Sequence, residues 1–457
     1  IPNRSKTMSY VTAAQKDWIE MMYGEETYLT MLDTFGKLVE RTVLPAEQKT
    51  EEQRARNSLK ELKSKLQKDG KFDESAVDCA IKSVKQDEKI PETVYRQIVE
   101  SGLTGMSFPE DLDGLGLPYP VFMTFLETLG KASPSIGVRY AISNTVAEGL
   151  RFNYAARNLS KYCEGILKNL VAGEKLAAFC LTEASASGSN ILQEMTTKAT
   201  LSKDGGHYTL TGNKMWITNA ETADVYAVFA KTSDDASHGV SLFLIERGTP
   251  GFGTGQIFEK RVVENSSFGE LVLKDVEIPA ENLVGKVGFG AQYAIRMLNS
   301  GRITIAALAT GLAQRAFDEY MEVAVEGKKT AGKHLMEYDR TKAKVAEMST
   351  EINAARDMTY RAAWLKERFD SAPDHPEFLR EYVIASNAAK LKASLIVQKA
   401  CEYLVRIWGA SAVVKENSAM KHYLDSWLYY FGEAVPEVLE NTIAHMEVKK
   451  YKARKGL

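Results

Sequence analysis

Trp216-Ile217-Thr218 places an indole and two β-forming residues in the polar segment LTGNKMWITNA (210–220), about two dozen residues after AAFCLTEASASGSN (177–190). Neither segment has the pattern of a metal site or a phosphate loop. The chain contains no GxSxG, no HExxH and no GxxxxGK(S/T), and its six histidines are scattered, none paired at i, i+4. The Gly-rich run GKVGFG (285–290) follows PAENLV without a strand in the right frame and reads as a turn. No Cys/His pair signals a nucleophile. Two chemistries are left: proton transfer by carboxylates, and reactions carried by an organic cofactor.

Three segments must position such residues. Residues 1–175 read as helical, with apolar residues at three- and four-residue spacing in VDCAIKSV, ETVYRQIVESGL and YPVFMTFLETLGKA. FPEDLDGLGLPYP (108–120) is a Pro- and Gly-rich loop between two of these helices, and the charged stretch at about 45–90 reads as an exposed helical insertion. Residues 176–291 change pattern. HYTLTG, VYAVFAKT, VSLFLIER and GELVLKDVEIP are short β-rich runs, broken by KDGG, SDDASHG and GTPGFGTG. They predict a compact antiparallel, barrel-like domain. Residues 292–457 return to long helices, among them ITIAALATGLAQRAFDEYMEVAV and TKAKVAEMSTEINAARDMTYRAAWLKERF. The expected architecture is α+β: helices, a β domain, then a four-helix bundle.

The bulk properties narrow the function classes. A chain of 457 residues with 44% hydrophobic and 26% charged content is an ordinary globular protein of two or three domains. A net charge of −2 makes no electrostatic case for nucleic acid or an anionic membrane. The basic end EVKKYKARKGL reads as a solvated helix end or a docking patch. Cys79, Cys163, Cys180 and Cys401 are far apart, which suits a reducing compartment: a bacterial cytoplasm or a mitochondrial matrix. No apolar run predicts a membrane span. The numbering opens on Ile1, so residues upstream can be missing.

FCLTEASASGSN (179–190) followed by LTGNKMWITNA resembles the two flavin-contacting segments of the acyl-CoA dehydrogenase family. FPEDLDGLGL, LKDVEIPAENLVG, MLNSGRITIAALATGLAQRAFDEY and KVAEMSTEINAARDMTYRAAW resemble the same family in the same order, from roughly residue 95 to the end. The resemblance implies FAD between the β domain and the bundle. Phe179, Leu181, Thr182, Trp216, Ile217 and Thr218 would hold the flavin, and Ser189 its pyrophosphate. A flat cofactor suits a flat indole and a few fixed donors. Trp216 could instead fill the β-domain core. The family base is a Glu in a Tyr-Glu-Gly-Thr segment. Gap-free counting from Asp425 in LDSWLYYFGEAVPEVLE puts Glu433 there, with Gly432, Ala434 and Val435 replacing the neighbours. Val435 then falls on the flavin side. An apolar setting would raise the proton affinity of Glu433. A surface loop Glu is the other reading, and Glu437 is the rival carboxylate. Asn299 and Arg302 take places that meet CoA in some relatives, although Arg302 could equally serve structure. Arg139 and Ser143 resemble the pair that meets a distal carboxylate in glutaryl-CoA dehydrogenases, whereas LNSGR and AAFCLTE resemble long-chain members.

The chain also departs from the family. Lys328, Ala331, Gly332 and Asp339 stand where relatives carry an Arg-x-x-Phe-Gly segment and a Gln, and Gly409-Ala410 replaces a Gly pair. These places bind the adenine half of a neighbouring subunit's FAD, and Lys328 lacks the guanidinium fork. The resemblance thus implies an FAD-dependent dehydrogenase forming a trans-2-enoyl-CoA, with an electron-transfer flavoprotein as acceptor and an oligomer that could include a different subunit. An acyl-CoA oxidase and a catalytically silent partner subunit are the alternatives.

Overall fold

The computed structural model describes residues 11–23, 26–44, 103–185, 190–235, 237–327 and 329–456. The charged stretch at 45–90, Cys79, Ser189 and Lys328 lie outside the described residues. Among the described residues five α-helices precede the sheet: α1 (Ala13–Tyr23), α2 (Glu26–Leu38), α3 (Tyr119–Ala132), α4 (Pro134–Ala155) and α5 (Lys161–Ala172). Local chemistry sets their ends. Ser133 Oγ accepts from Ile136 N at the start of α4, with Pro134 in the first turn, and Ser160 Oγ accepts from Cys163 N at the start of α5. Gly173, at φ +77, stops α5.

Seven strands follow among the described residues: β1 (Ala177–Cys180), β2 (Lys198–Leu201), β3 (His207–Thr218), β4 (Val225–Lys231), β5 (Val240–Glu246), β6 (Phe252–Ile257) and β7 (Phe268–Pro279). They form one sheet in the order β1-β4-β2-β3-β7-β6, with β5 beside β4. Most pairings are antiparallel, but β1 and β2 run parallel to β4. GTPGFGTG, expected as a break, contributes edge strand β6 instead. Pairing with β7 (Phe252 with Leu273, Thr254 with Leu271) supplies the order that its own glycine-rich sequence lacks.

The second helical part contains α6 (Gly290–Glu326), α7 (Asp339–Ser371), α8 (Pro376–Trp408), α9 (Ala419–Phe431) and α10 (Pro436–Lys455). α6 is its axis and is buried without a break from Asn299 to Ala313. α3 lies directly on it. A Cβ on Gly130 would stand 2.3 Å from Leu308 O, and one on Gly311 would stand 2.0 Å from Glu127 O, so only glycines permit this crossing. One apolar core, including Phe122, Phe125, Tyr140, Leu308, Tyr360 and Val397, runs through both helical parts. A second core joins α4, α5 and the start of α6 to one face of the sheet. Among the described residues no helix is long and apolar enough to cross a membrane.

Candidate active site

The first predicted segment becomes β1 and the turn after it, and the second becomes β3. Their contact is direct. Met215 N donates to Thr182 O at 2.9 Å, and Lys214 Nζ donates to Leu181 O at 3.2 Å. Beneath them lies an ion pair that sequence reading missed, although Glu183 is inside the first segment. Lys214 Nζ reaches Glu183 Oε1 at 2.7 Å, and both side chains are buried. Burial opposes ionisation of Glu183, but Lys214 and donors from Thr196 and Thr197 overcome it and hold the carboxyl at about 2.

Trp216 owes its position to an irregularity in β3. The pairing with β7 shifts register between Lys214 and Ile217, and Trp216 takes φ +62 there. A non-glycine residue rarely adopts that conformation, and a bulge re-aims its side chain. Ile217 is buried, Thr218 is half-buried, and the indole is 51% exposed. The β-domain core reading of Trp216 therefore fails. The indole rests on Phe258 (centroids 4.9 Å apart) and Phe268 (6.0 Å), leaving its other face clear of these rings. Phe179 is half-buried in β1, edge-on to Phe229 at 5.2 Å. Asn219, also at positive φ, ties the segment to its neighbours: its Nδ2 donates to Arg139 O (3.1 Å) and Ala177 O (3.0 Å). Ser143 Oγ accepts from Ala177 N at 3.0 Å. Arg139 and Ser143 are thus buried at the seam between α4 and β1.

Glu433 occupies the short turn between α9 and α10. Glu433 and Ala434 both have positive φ, +58 and +102. The carboxylate lies against Gly301 of α6, where an added Cβ would meet Oε1 at 2.5 Å. Oε2 is shielded from solvent and has no hydrogen-bond partner. Burial pushes the carboxyl up to about 7, against the pull of Arg302 and Lys390. The surface-loop reading of Glu433 fails with this. Glu437 is exposed in the first turn of α10 and accepts from Tyr430 OH at 3.0 Å.

Arg302 and Asn299 are brought to the same place. Arg302 Nη1 donates to Asn299 Oδ1 at 2.8 Å, and its Nε donates to Glu433 O at 3.1 Å. Both serve the turn that carries the carboxylate. Lys390 completes the cluster from α8. Nothing in the sequence singled it out: it sits on a buried helix face that mixes Ser386, Asn387 and Ser394 with Ala393 and Val397. Next to Gly301, Ser300 Oγ meets Tyr119 OH at 3.0 Å. Beyond it, Glu148, Arg151, Lys366 and Asp370 form a closed ring of ion pairs around a small cavity.

A link joins the two halves of the site. Val263 N, in the loop between Phe258 and Phe268, donates to Asp425 Oδ1 of α9 at 2.7 Å. α9 then leads into the Glu433 turn. Val435 is half-buried and caps α10. Gly409 stands apart from these contacts, exposed at the end of α8 with φ +60. The described residues contain no cluster able to hold a metal. An exposed indole on an aromatic bed, fixed backbone carbonyls beside it, and a shielded carboxyl without a partner fit a flat redox cofactor and a substrate with a removable proton.

Comparison with known proteins shows the family. The acyl-CoA dehydrogenase N-terminal, middle and C-terminal domain families match residues 70–155, 178–276 and 288–447. The chain is 32% identical over 368 residues to the probable acyl-CoA dehydrogenase YngJ of Bacillus subtilis, covering 80% of this chain and 92% of that protein. It is 31% identical over 372 residues to the mitochondrial short-chain specific acyl-CoA dehydrogenase of Bos taurus, covering 81% and 86%. The butyryl-CoA dehydrogenase structure from Megasphaera elsdenii superposes with a TM-score of 0.75 at 26% identity, covering 96% and 98% of the two chains. The chain therefore belongs to the acyl-CoA dehydrogenase family of FAD-dependent oxidoreductases.

Proposed function

We propose that this chain oxidises a short-chain acyl-CoA to its trans-2-enoyl-CoA, with Glu433 as the base that removes the α-proton. The observation that carries the reading is the Glu433 carboxyl itself: Oε2 is shielded and unpartnered, and the group is raised to about 7. A base poised near neutral pH combines a usable carboxylate fraction with enough proton affinity to take a proton from carbon. Leu181, Thr182, Trp216, Ile217 and Thr218 would hold the cofactor, with Phe179 behind them and Val435 at the edge of the turn. FAD, when bound, supplies the acceptor for the hydride leaving Cβ. Gly301 gives the carboxylate room, and Asn299 and Arg302 fix the carbonyl of its own residue. A short acyl chain follows the substrate named for the bovine and Megasphaera relatives. A polar tail meeting Arg139 and Ser143 is the variant that an acyl-CoA panel distinguishes. An electron-transfer flavoprotein is the proposed acceptor. The test is anaerobic addition of butyryl-CoA to FAD-loaded protein. Wild type should lose its yellow colour, and Glu433→Gln should keep FAD and stay yellow. Bleaching of Glu433→Gln at the wild-type rate would remove Glu433 as the base.

A further inference from the structure

We infer that Lys390 is a positioning residue for the base: its ammonium closes the α9–α10 turn from behind and holds Glu433 against Gly301. The inference rests on the reading of Glu433 above. Lys390 is fully buried on α8, and lysine is almost never buried without a partner. Its Nζ donates to Tyr430 O at 3.0 Å and to Ala434 O. The first acceptor is one of the carbonyls that the last turn of α9 cannot satisfy internally. The second belongs to the residue at φ +102. Arg302 takes the carbonyl between them, Glu433 O, from the α6 side. Carbonyls 430, 433 and 434 are therefore each engaged by a buried cation, from two different helices. Two consecutive non-glycine residues at positive φ persist only where the surroundings over-determine them, and this clamp does so. One turn along α8, Ser394 Oγ donates to Tyr429 O at 2.7 Å, a second tie to α9 that carries no charge.

The clamp also sets the field at the carboxylate. The charged groups facing it are Arg302 from α6 and Lys390 from α8, with Tyr382 of α8 facing Arg302 and Glu437 of α10 facing Lys390. Removing Lys390 frees the turn and takes away a group whose positive charge, up to about pH 7, favours the ionised base beside Arg302. Both effects act on proton abstraction, but only the second moves a titration.

FAD-loaded protein is mixed anaerobically with butyryl-CoA between pH 6 and 9, and flavin bleaching is followed in wild type, Lys390→Met, Lys390→Arg and Ser394→Ala. In parallel, infrared titration follows the Glu433 carboxyl band, assigned by its loss in Glu433→Gln. Lys390→Met should lower the plateau rate at least tenfold and raise both midpoints by about one pH unit. Lys390→Arg should return the midpoints toward wild type, because the charge stays. Ser394→Ala, a tie without charge, should leave them in place. An unmoved carboxyl midpoint in Lys390→Met overturns the assignment, whether or not acyl-CoA reduces the flavin. A raised carboxyl midpoint in protein that no acyl-CoA bleaches keeps the role of Lys390 and overturns the dehydrogenase reading instead.

Discussion

Replacing Glu433 with Gln should raise stability at pH 8 while abolishing turnover, and the size of that gain follows from the site. Burial lifts the carboxyl from 4.5 to about 7 in the folded chain, despite Arg302 and Lys390. That difference in proton affinity corresponds to about 3 kcal/mol. The sign is that of a raised acid. Below pH 4.5 both folded and unfolded chains hold the proton, and the group costs nothing. Between 4.5 and 7 the unfolded chain releases its proton and the folded chain does not, so stability falls. Above 7 the loss is complete. Gln titrates nowhere, so Glu433→Gln should match wild type near pH 4 and exceed it by about 3 kcal/mol at pH 8. With an unfolding entropy of about 2 cal/mol/K per residue, a chain of this length gains about 3 °C in Tm. Lys390, pushed down to about 7 by burial, is raised in turn by Glu433, so the two groups titrate together and the step in stability belongs to the pair. The assay is a thermal scan of FAD-loaded wild type and variant across pH 4 to 8, beside the wild-type rate of bleaching by butyryl-CoA. That rate should climb about tenfold per pH unit until it levels near pH 7. A variant less stable than wild type at pH 8, or a bleaching rate flat from pH 5 to 8, would refute a buried, raised base at position 433.

Trp216→Ala should lose most bound FAD, read by absorbance after gel filtration, while the cofactor-free chain loses about 1 kcal/mol or less, because the indole is half exposed and packs against Phe258 and Phe268. Lys214→Met should cost about 3–5 kcal/mol in denaturant unfolding, since it strands a buried Glu183. With its partner in place, Glu183 adds stability at pH values above the ordinary carboxyl value, and acid titration should show that gain disappearing as pH falls toward 2. Arg302→Lys should lower the bleaching rate about tenfold with FAD retained, because an ammonium cannot serve Asn299 and Glu433 O in the same fork. Gel filtration with FAD stoichiometry addresses the altered adenine segment around Gly409: one tightly bound FAD per chain in a homo-oligomer removes the mixed-subunit idea.

What was legible in the sequence and what was not divide along a physical line. Periodicity showed α3, α6 and α7, and runs rich in β-forming residues showed β3, β4, β5 and β7, because in each of these the residues carry their own signal. β6 carried none: FGTGQI is ordered by its neighbour, so its glycines read as a break. The site divides in the same way. Trp216 and Glu433 could be named from type and neighbourhood, but their backbone conformations could not, because nothing in WIT or GEAV requires positive φ. That conformation comes from tertiary ties far away in sequence, from β7 for Trp216 and from Arg302 and Lys390 for Glu433. A lysine within a long helix looks the same in sequence whether it faces solvent or serves as a clamp. Only the two carbonyls at its tip decide, and they belong to residues 40 and 44 positions later. Residues that act through backbone atoms leave almost no trace in composition or spacing, whereas residues that act through their own side-chain chemistry do. The surroundings of the Glu433 carboxylate are built from the first kind, so they were invisible until the helices were packed.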